Sequence, residues 1–148
     1  MTHPLDALRG RQLPGASLHI ARHESVILDK ALRAPAPVAG EEQLASPIWL
    51  VVASLRGMGI TVDELCDLAQ KSAADTLLFG GVVVEQTGEL PVDTGYRTTA
   101  AITDVGRRSM RDGSTLDSVV VVVRVVGPDD TERGAVTSTY LFKRGSRP

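Results

Sequence analysis

The chain has 148 residues, 43% of them hydrophobic and 23% charged, with a formal net charge of −2. That length and composition fit one domain with a substantial core, and the near-neutral charge leaves no basic footprint for nucleic acid or an anionic membrane. One cysteine, Cys66, excludes an intrachain disulfide framework and a multi-cysteine zinc site, and five aromatic side chains are too few for a single-strand stacking platform.

Residues 1–16 carry proline, glycine and arginine and read as a flexible arm. They contain no apolar stretch of signal-peptide length, and the longest apolar run, Val119 to Val123, is too short to cross a bilayer. The expected location is the cytoplasm. Ser17 to Asp29 reads as a strand, with Leu18, Ile20, Val26 and Leu28 on one face. Alternation then places His19 and His23 on a common face about 13 Å apart, too far for a shared metal. They read as surface histidines, and His3 falls in the arm. The following KALRAPAPVAGEEQLAS is a loop, because Pro35, Pro37 and Gly40 break regular structure.

Ala45 to Gly59, ASPIWLVVASLRGMG, is an almost wholly apolar helix. Ser46 is its expected N-cap, Pro47 its first residue, and Gly57 and Gly59 its end. A helix apolar nearly all round requires burial on nearly all sides. A second helix runs from Thr61 to about Ser72. It opens on a Thr61–Glu64 capping box and buries Leu65, Leu68 and Ala69. Cys66 reads there as a small apolar residue.

The remainder reads as strands: Leu77 to Glu89, Tyr96 to Val105, Leu116 to Val126 and Gly134 to Lys143. Asp112-Gly113 and Pro128-Asp129-Asp130 mark turns. The Val-rich third strand is apolar on both faces and so belongs in the middle of the sheet. The last three strands suit an antiparallel meander. No internal repeat or linker divides residues 17–144, and 145–148 form a tail.

The order of these elements, with Leu90-Pro91-Val92-Asp93-Thr94-Gly95-Tyr96 between two strands, resembles the hot-dog fold. More narrowly, it resembles the MaoC-like (R)-specific enoyl thioester hydratase and dehydratase family. It is most similar to that family's N-terminal, FAS1-type half-domains. The resemblance implies an α+β fold with an antiparallel sheet wrapped around the central helix. It also implies an acyl-CoA or acyl-carrier-protein thioester as substrate, with no further cofactor and no metal.

Hydration of a 2-enoyl thioester requires a base for water, an acid for the α carbon and donors for the developing enolate oxygen. The family supplies an Asp and a His from the loop before the central helix. Here that loop holds no His, Asn or Asp, and its Glu41 and Glu42 read as a solvated pair. Proline at position 47 has no N–H to offer a thioester oxygen. No catalytic residue is therefore assigned.

The resemblance implies a subunit that shapes a substrate tunnel. Its catalytic hot-dog partner would complete a heterodimer or heterotetramer, self-association being the alternative. Tunnel candidates are Ser46, Ile48, Trp49, Val52, Arg56 and Gly81. Arg107, Arg108 and Arg111 are candidates for the phosphates of coenzyme A or a carrier. Two rival readings are a hot-dog thioesterase and a homodimeric acyl-thioester-binding module without catalysis. The first suffers because Ile48 to Met58 has no carboxylate.

Overall fold

The computed structural model of the chain describes residues 3–35 and 42–145. Six strands form one antiparallel sheet: β1 Gln12–Leu13, β2 Ser17–Ile20, β3 Thr76–Gln86, β4 Thr94–Ser109, β5 Thr115–Val126 and β6 Glu132–Lys143. Three α-helices, α1 Arg22–Ala31, α2 Ile48–Arg56 and α3 Val62–Leu68, accompany it. The strand order is β1-β4-β5-β6-β3, with β2 also paired to β4.

The expected meander is β4-β5-β6, and the valine-rich β5 lies at its middle. Its alternate residues Val119, Val121, Val123 and Val125 are buried. Those between them face the other side and are half-buried or exposed. β3 does not join its chain neighbour β4. It crosses to the far side and pairs with β6, so β3 forms the free edge.

Two buried clusters fill the helix-bearing side of the sheet. In one, Leu5, Leu8, Leu13, Met58, Leu65 and Ala69 cover the strand residues Ile102, Val105, Val119, Val121, Tyr140 and Phe142. In the other, Trp49, Leu50 and Ala53 of α2 pack with Leu18, Ile20, Leu90, Val92, Tyr96, Val125 and Val136. Each fully buried large apolar side chain contributes roughly 1.5–3 kcal/mol.

The opening residues are docked rather than flexible from His3 onward. A 3-10 turn at Asp6–Leu8 and strand β1 place Leu5, Leu8 and Leu13 in the first cluster. Hydrogen bonds from Gly10 N–H to Ile102 O and from Ile102 N–H to Arg11 O fix the path. Gly15 is required there: its φ is +69°, and a Cβ would lie 2.3 Å from Thr98 O.

The expected strand over 17–29 is also corrected. It stops at Ile20, and Arg22–Ala31 is helix. The helix starts on a distant residue. Asp93 Oδ1 accepts from the Arg22 N–H at 2.9 Å, and the Arg22 guanidinium meets Asp93 Oδ2 at 3.2 Å. A carboxylate at a helix N-terminus satisfies an orphan donor and suits the helix dipole. His19 therefore lies on a strand and His23 on a helix, and the two do not share a strand face.

The second predicted helix is shorter than expected, Val62–Leu68, and keeps the reciprocal Thr61–Glu64 capping box. Glu41, Pro37, Gly40 and the last three residues of the predicted tail lie outside the described residues.

Candidate functional site: an open apolar flank

Helix α2 is not enclosed all round. Trp49, Leu50, Ala53 and Ser54 are buried, while Ile48 and Leu55 are exposed and Val51 and Val52 half-buried. The open residues 48, 51, 52 and 55 follow i, i+3, i+4, i+7 spacing, which makes one continuous helix stripe.

The helix lies over β5 and β6 and reaches β3. There the sheet offers a matching surface. Phe79 pairs across with Tyr140, Val82 with Ser138 and Val84 with Val136. Directly paired residues point to the same side of a sheet, and these β6 partners are buried on the helix side. Phe79, Val82 and Val84 thus face the same side as α2. They remain open, with Phe79 56% exposed. Phe79 meets Tyr140 edge-on, with ring centroids 5.6 Å apart.

The α2 stripe and the inner side of β3 therefore form an apolar flank without a carboxylate or histidine of its own. The other face of β3 is apolar too, with Leu78 exposed and Val83 58% exposed.

The start of α2 has little left to donate. Pro47 has no N–H, the Ile48 N–H reaches Ser46 Oγ at 3.3 Å, and the Trp49 N–H donates to Ser46 O at 3.0 Å. Ser46 thus acts on the helix itself.

Of the sequence candidates, Ile48 and Val52 share the open stripe, whereas Gly81 pairs with Thr139 and so, beyond the bulge after Phe79, faces the side of the sheet away from α2. Arg56 is exposed at the helix C-terminus. Trp49 is only 4% exposed and belongs to the second core cluster, so its bulk faces away from the flank. Sequence reasoning missed Val51, Leu55, Phe79, Val82 and Val84. The i, i+3, i+4, i+7 spacing in IWLVVASL was the available signal.

The three arginine candidates separate. Arg107 turns onto fully buried Asp117, with Nε at 2.7 Å from Oδ1 and Nη2 at 3.0 Å from Oδ2. Arg144 adds Nε to Oδ2 of Asp117 at 2.8 Å and Nη1 to Oδ2 of Asp75 at 2.9 Å. Burial pushes the Asp117 carboxyl up, but the Arg107 and Arg144 guanidiniums outweigh it and hold it below the usual range.

Burial likewise opposes ionisation of Asp75. The N–H groups of Ser72 and Gly145, together with Arg144, bring it down to about 2. His3 closes this cluster. Its Nδ1 accepts from the Leu5 N–H at 2.9 Å, which leaves Nε2–H to donate to Gly106 O at 3.1 Å. Arg108 and Arg111 are exposed and carry no ion pair among the described residues.

Among the described residues no cluster of three metal-ligating side chains occurs. No described helix is long and apolar enough to cross a membrane.

No family model and no curated protein sequence matches the chain. Solved structures do. The HadBC (3R-hydroxyacyl-ACP dehydratase) complex from Mycobacterium tuberculosis matches with TM-score 0.66 and 12% identity. The match covers 90% of this chain and 96% of that one. The ChsH1–ChsH2 complex from Mycobacterium tuberculosis matches with TM-score 0.67 and 13% identity, over 97% of this chain and 90% of that one.

This is a hot-dog fold. A MaoC-like dehydratase from Rhodospirillum rubrum extends the likeness across 100% of this chain and 99% of its own, with TM-score 0.64 and 11% identity. The hot-dog neighbours are thus MaoC-like dehydratases in several cases, and the expected α+β class is the one observed.

Proposed function

We propose that this chain is a non-catalytic, tunnel-shaping subunit of a heteromeric MaoC-like enoyl thioester hydratase or 3-hydroxyacyl thioester dehydratase. The flank between α2 and β3 carries the reading. It is apolar, it offers no acid or base, and it lies beside a strand edge that lacks a partner among the described residues. An edge strand with exposed valines favours a second sheet, since pairing satisfies its free N–H and C=O groups and covers its side chains.

The engaged N–H groups at the start of α2 support the same division of labour. Polarising a thioester carbonyl takes an aimed donor, and Pro47, Ile48 and Trp49 have none to spare. The partner would bring the Asp and the His, while Ile48 and Val52 would line the acyl side of the shared tunnel. Two of the matched structures, HadBC and ChsH1–ChsH2, are themselves complexes by name.

The test is co-expression with a hot-dog protein carrying the Asp/His hydratase motif, followed by purification and an assay on a 2-enoyl-CoA. A stable complex whose acyl preference changes on Ile48→Trp or Val52→Phe is expected. Turnover of thioester by this chain alone would overturn the non-catalytic assignment. A homodimer that binds acyl-CoA without turnover, and ignores the partner, would replace it with a binding module.

A further inference from the structure

The apolar flank borders two polar atoms that nothing in the chain uses. Among the described residues, six buried side-chain nitrogens and oxygens lack a hydrogen-bond partner: Ser25 Oγ, Gln43 Nε2, Trp49 Nε1, Arg133 Nε, Ser138 Oγ and Tyr140 Oη. The last two share a strand and a face. Ser138 and Tyr140 stand two residues apart on β6, each 3% exposed, and so point together to the helix-bearing side of the sheet.

Their cross-strand neighbours place them. Ser138 pairs with Val82 and Tyr140 with Phe79, both open residues on the inner side of β3. Across β5 they pair with Val121 and Val119, which are buried. The two hydroxyls therefore stand between an apolar core and the open flank. Phe79 meets the Tyr140 ring edge-on, and because it is more than half exposed it is free to turn away and uncover that ring.

Three other buried hydroxyls around α2 are satisfied. Ser54 Oγ donates to Val51 O at 2.6 Å, Thr98 Oγ1 to Gly57 O at 2.7 Å and Tyr96 Oη to Pro91 O at 2.7 Å. A buried hydroxyl without a partner is destabilising, so two in one row beside an open flank point to an acceptor that arrives with a ligand. Burial, with the Cys66 thiol nearby, pushes the Tyr140 phenol up, so it keeps its proton and can donate. A serine hydroxyl rotates to aim its own.

We propose that Ser138 and Tyr140 select an oxygenated acyl group, one with a keto or hydroxyl oxygen on its hydrocarbon body away from the thioester. Val51, Leu55, Phe79 and Val82 would take the hydrocarbon, and the two hydroxyls would donate to the oxygen. A plain alkyl chain would leave both hydroxyls unpaired in a site without water, which is how a polar pocket rejects an analogue lacking the matching group. The inference rests on the reading of this flank as an acyl site and adds the class of acyl group.

The experiment is calorimetric titration of the full-length chain with decanoate and with 5-oxo-, 7-oxo- and 9-oxodecanoate. It compares the wild type with Ser138→Ala, Tyr140→Phe and the double variant. One keto acid is expected to gain on decanoate, and the position of its oxygen locates the hydroxyls. The ratio of its affinity to that of decanoate should fall about threefold in each single variant and about tenfold in the double variant, the scale of one modest hydrogen bond each. Without ligand, both single variants should unfold at a higher urea concentration than the wild type, since each removes an unpaired buried hydroxyl and little else. A lower midpoint would mean that the hydroxyls have partners inside the chain, and overturns the proposal. Equal binding of decanoate and the keto acids overturns it while leaving the flank an acyl site. Binding of none of the four acids removes the acyl reading and the proposal together.

Discussion

At the β4 side of the sheet the chain finishes its own work. Strands β1 and β2 pair with β4, the N-terminal leucines enter the core, and α1 is capped by Asp93. At the β3 side it does not. Eleven residues form a strand with one neighbour, and their side chains stay open on both faces. The contrast separates two uses of apolar residues. Leu5, Leu8 and Leu13 hold the fold together in cis, whereas Phe79, Val82, Val83 and Val84 stabilise little within the chain and are suited to contact outside it.

Substitution distinguishes the two sides. The largest expected effect is at Asp117 on the closed side. Asp117→Ala removes the buried carboxylate that Arg107 and Arg144 share, leaving Arg144 with Asp75 alone, and should cost roughly 3–5 kcal/mol, measured by urea denaturation. Next comes Leu5→Ala, at roughly 2–4 kcal/mol by the same measurement, since the side chain is 1% exposed. A loss under about 0.5 kcal/mol would show that the N-terminal segment is not part of the core.

Acid should act on the buried ion pairs as well. Asp75 is held at about 2 against an ordinary 3.8, so it binds a proton more readily in the unfolded chain. Its stabilisation is complete above about pH 4 and is lost as pH falls towards 2. Asp75→Asn should flatten that part of the stability–pH profile, and an unchanged profile would place the acid sensitivity elsewhere.

The smallest effect on stability belongs to the open side. Val83→Lys should change the isolated chain by no more than about 0.5 kcal/mol, yet it should block edge pairing, as read by light scattering of the assembled complex. A large loss of stability there would erase the contrast between the edges.

Much of the fold was legible because the signals were local. The Thr61–Glu64 box, the apolar run of α2 and the β-branched run of β5 each state their element within a few residues. The start of α1 was not legible, because its cap lies 71 residues away at Asp93. The docking of the opening segment was missed for a related reason. Three leucines scattered among proline, glycine and arginine have no period, and only the sheet reveals their common destination.

The site was less legible than the fold. The apolarity of α2 suggested full enclosure, but apolar sequence does not say whether the cover comes from the same chain. Arg107 was the recoverable case. The Asp112-Gly113 turn lies midway between Arg107 and Asp117, and a regular hairpin pairs them across the strands, as observed.

The bare edge also bears on how the chain must be produced. Residues 76–84 form an uncharged, proline-free run of high β-propensity. No charge or proline on that edge resists addition of an identical strand before Glu85, and the bulge between Phe79 and Gly81 is its one interruption. A chain made in excess of whatever covers β3 therefore offers a template for its own aggregation. Under the proposed pairing, synthesis balanced with the partner would keep the edge of this one strand from pairing with itself.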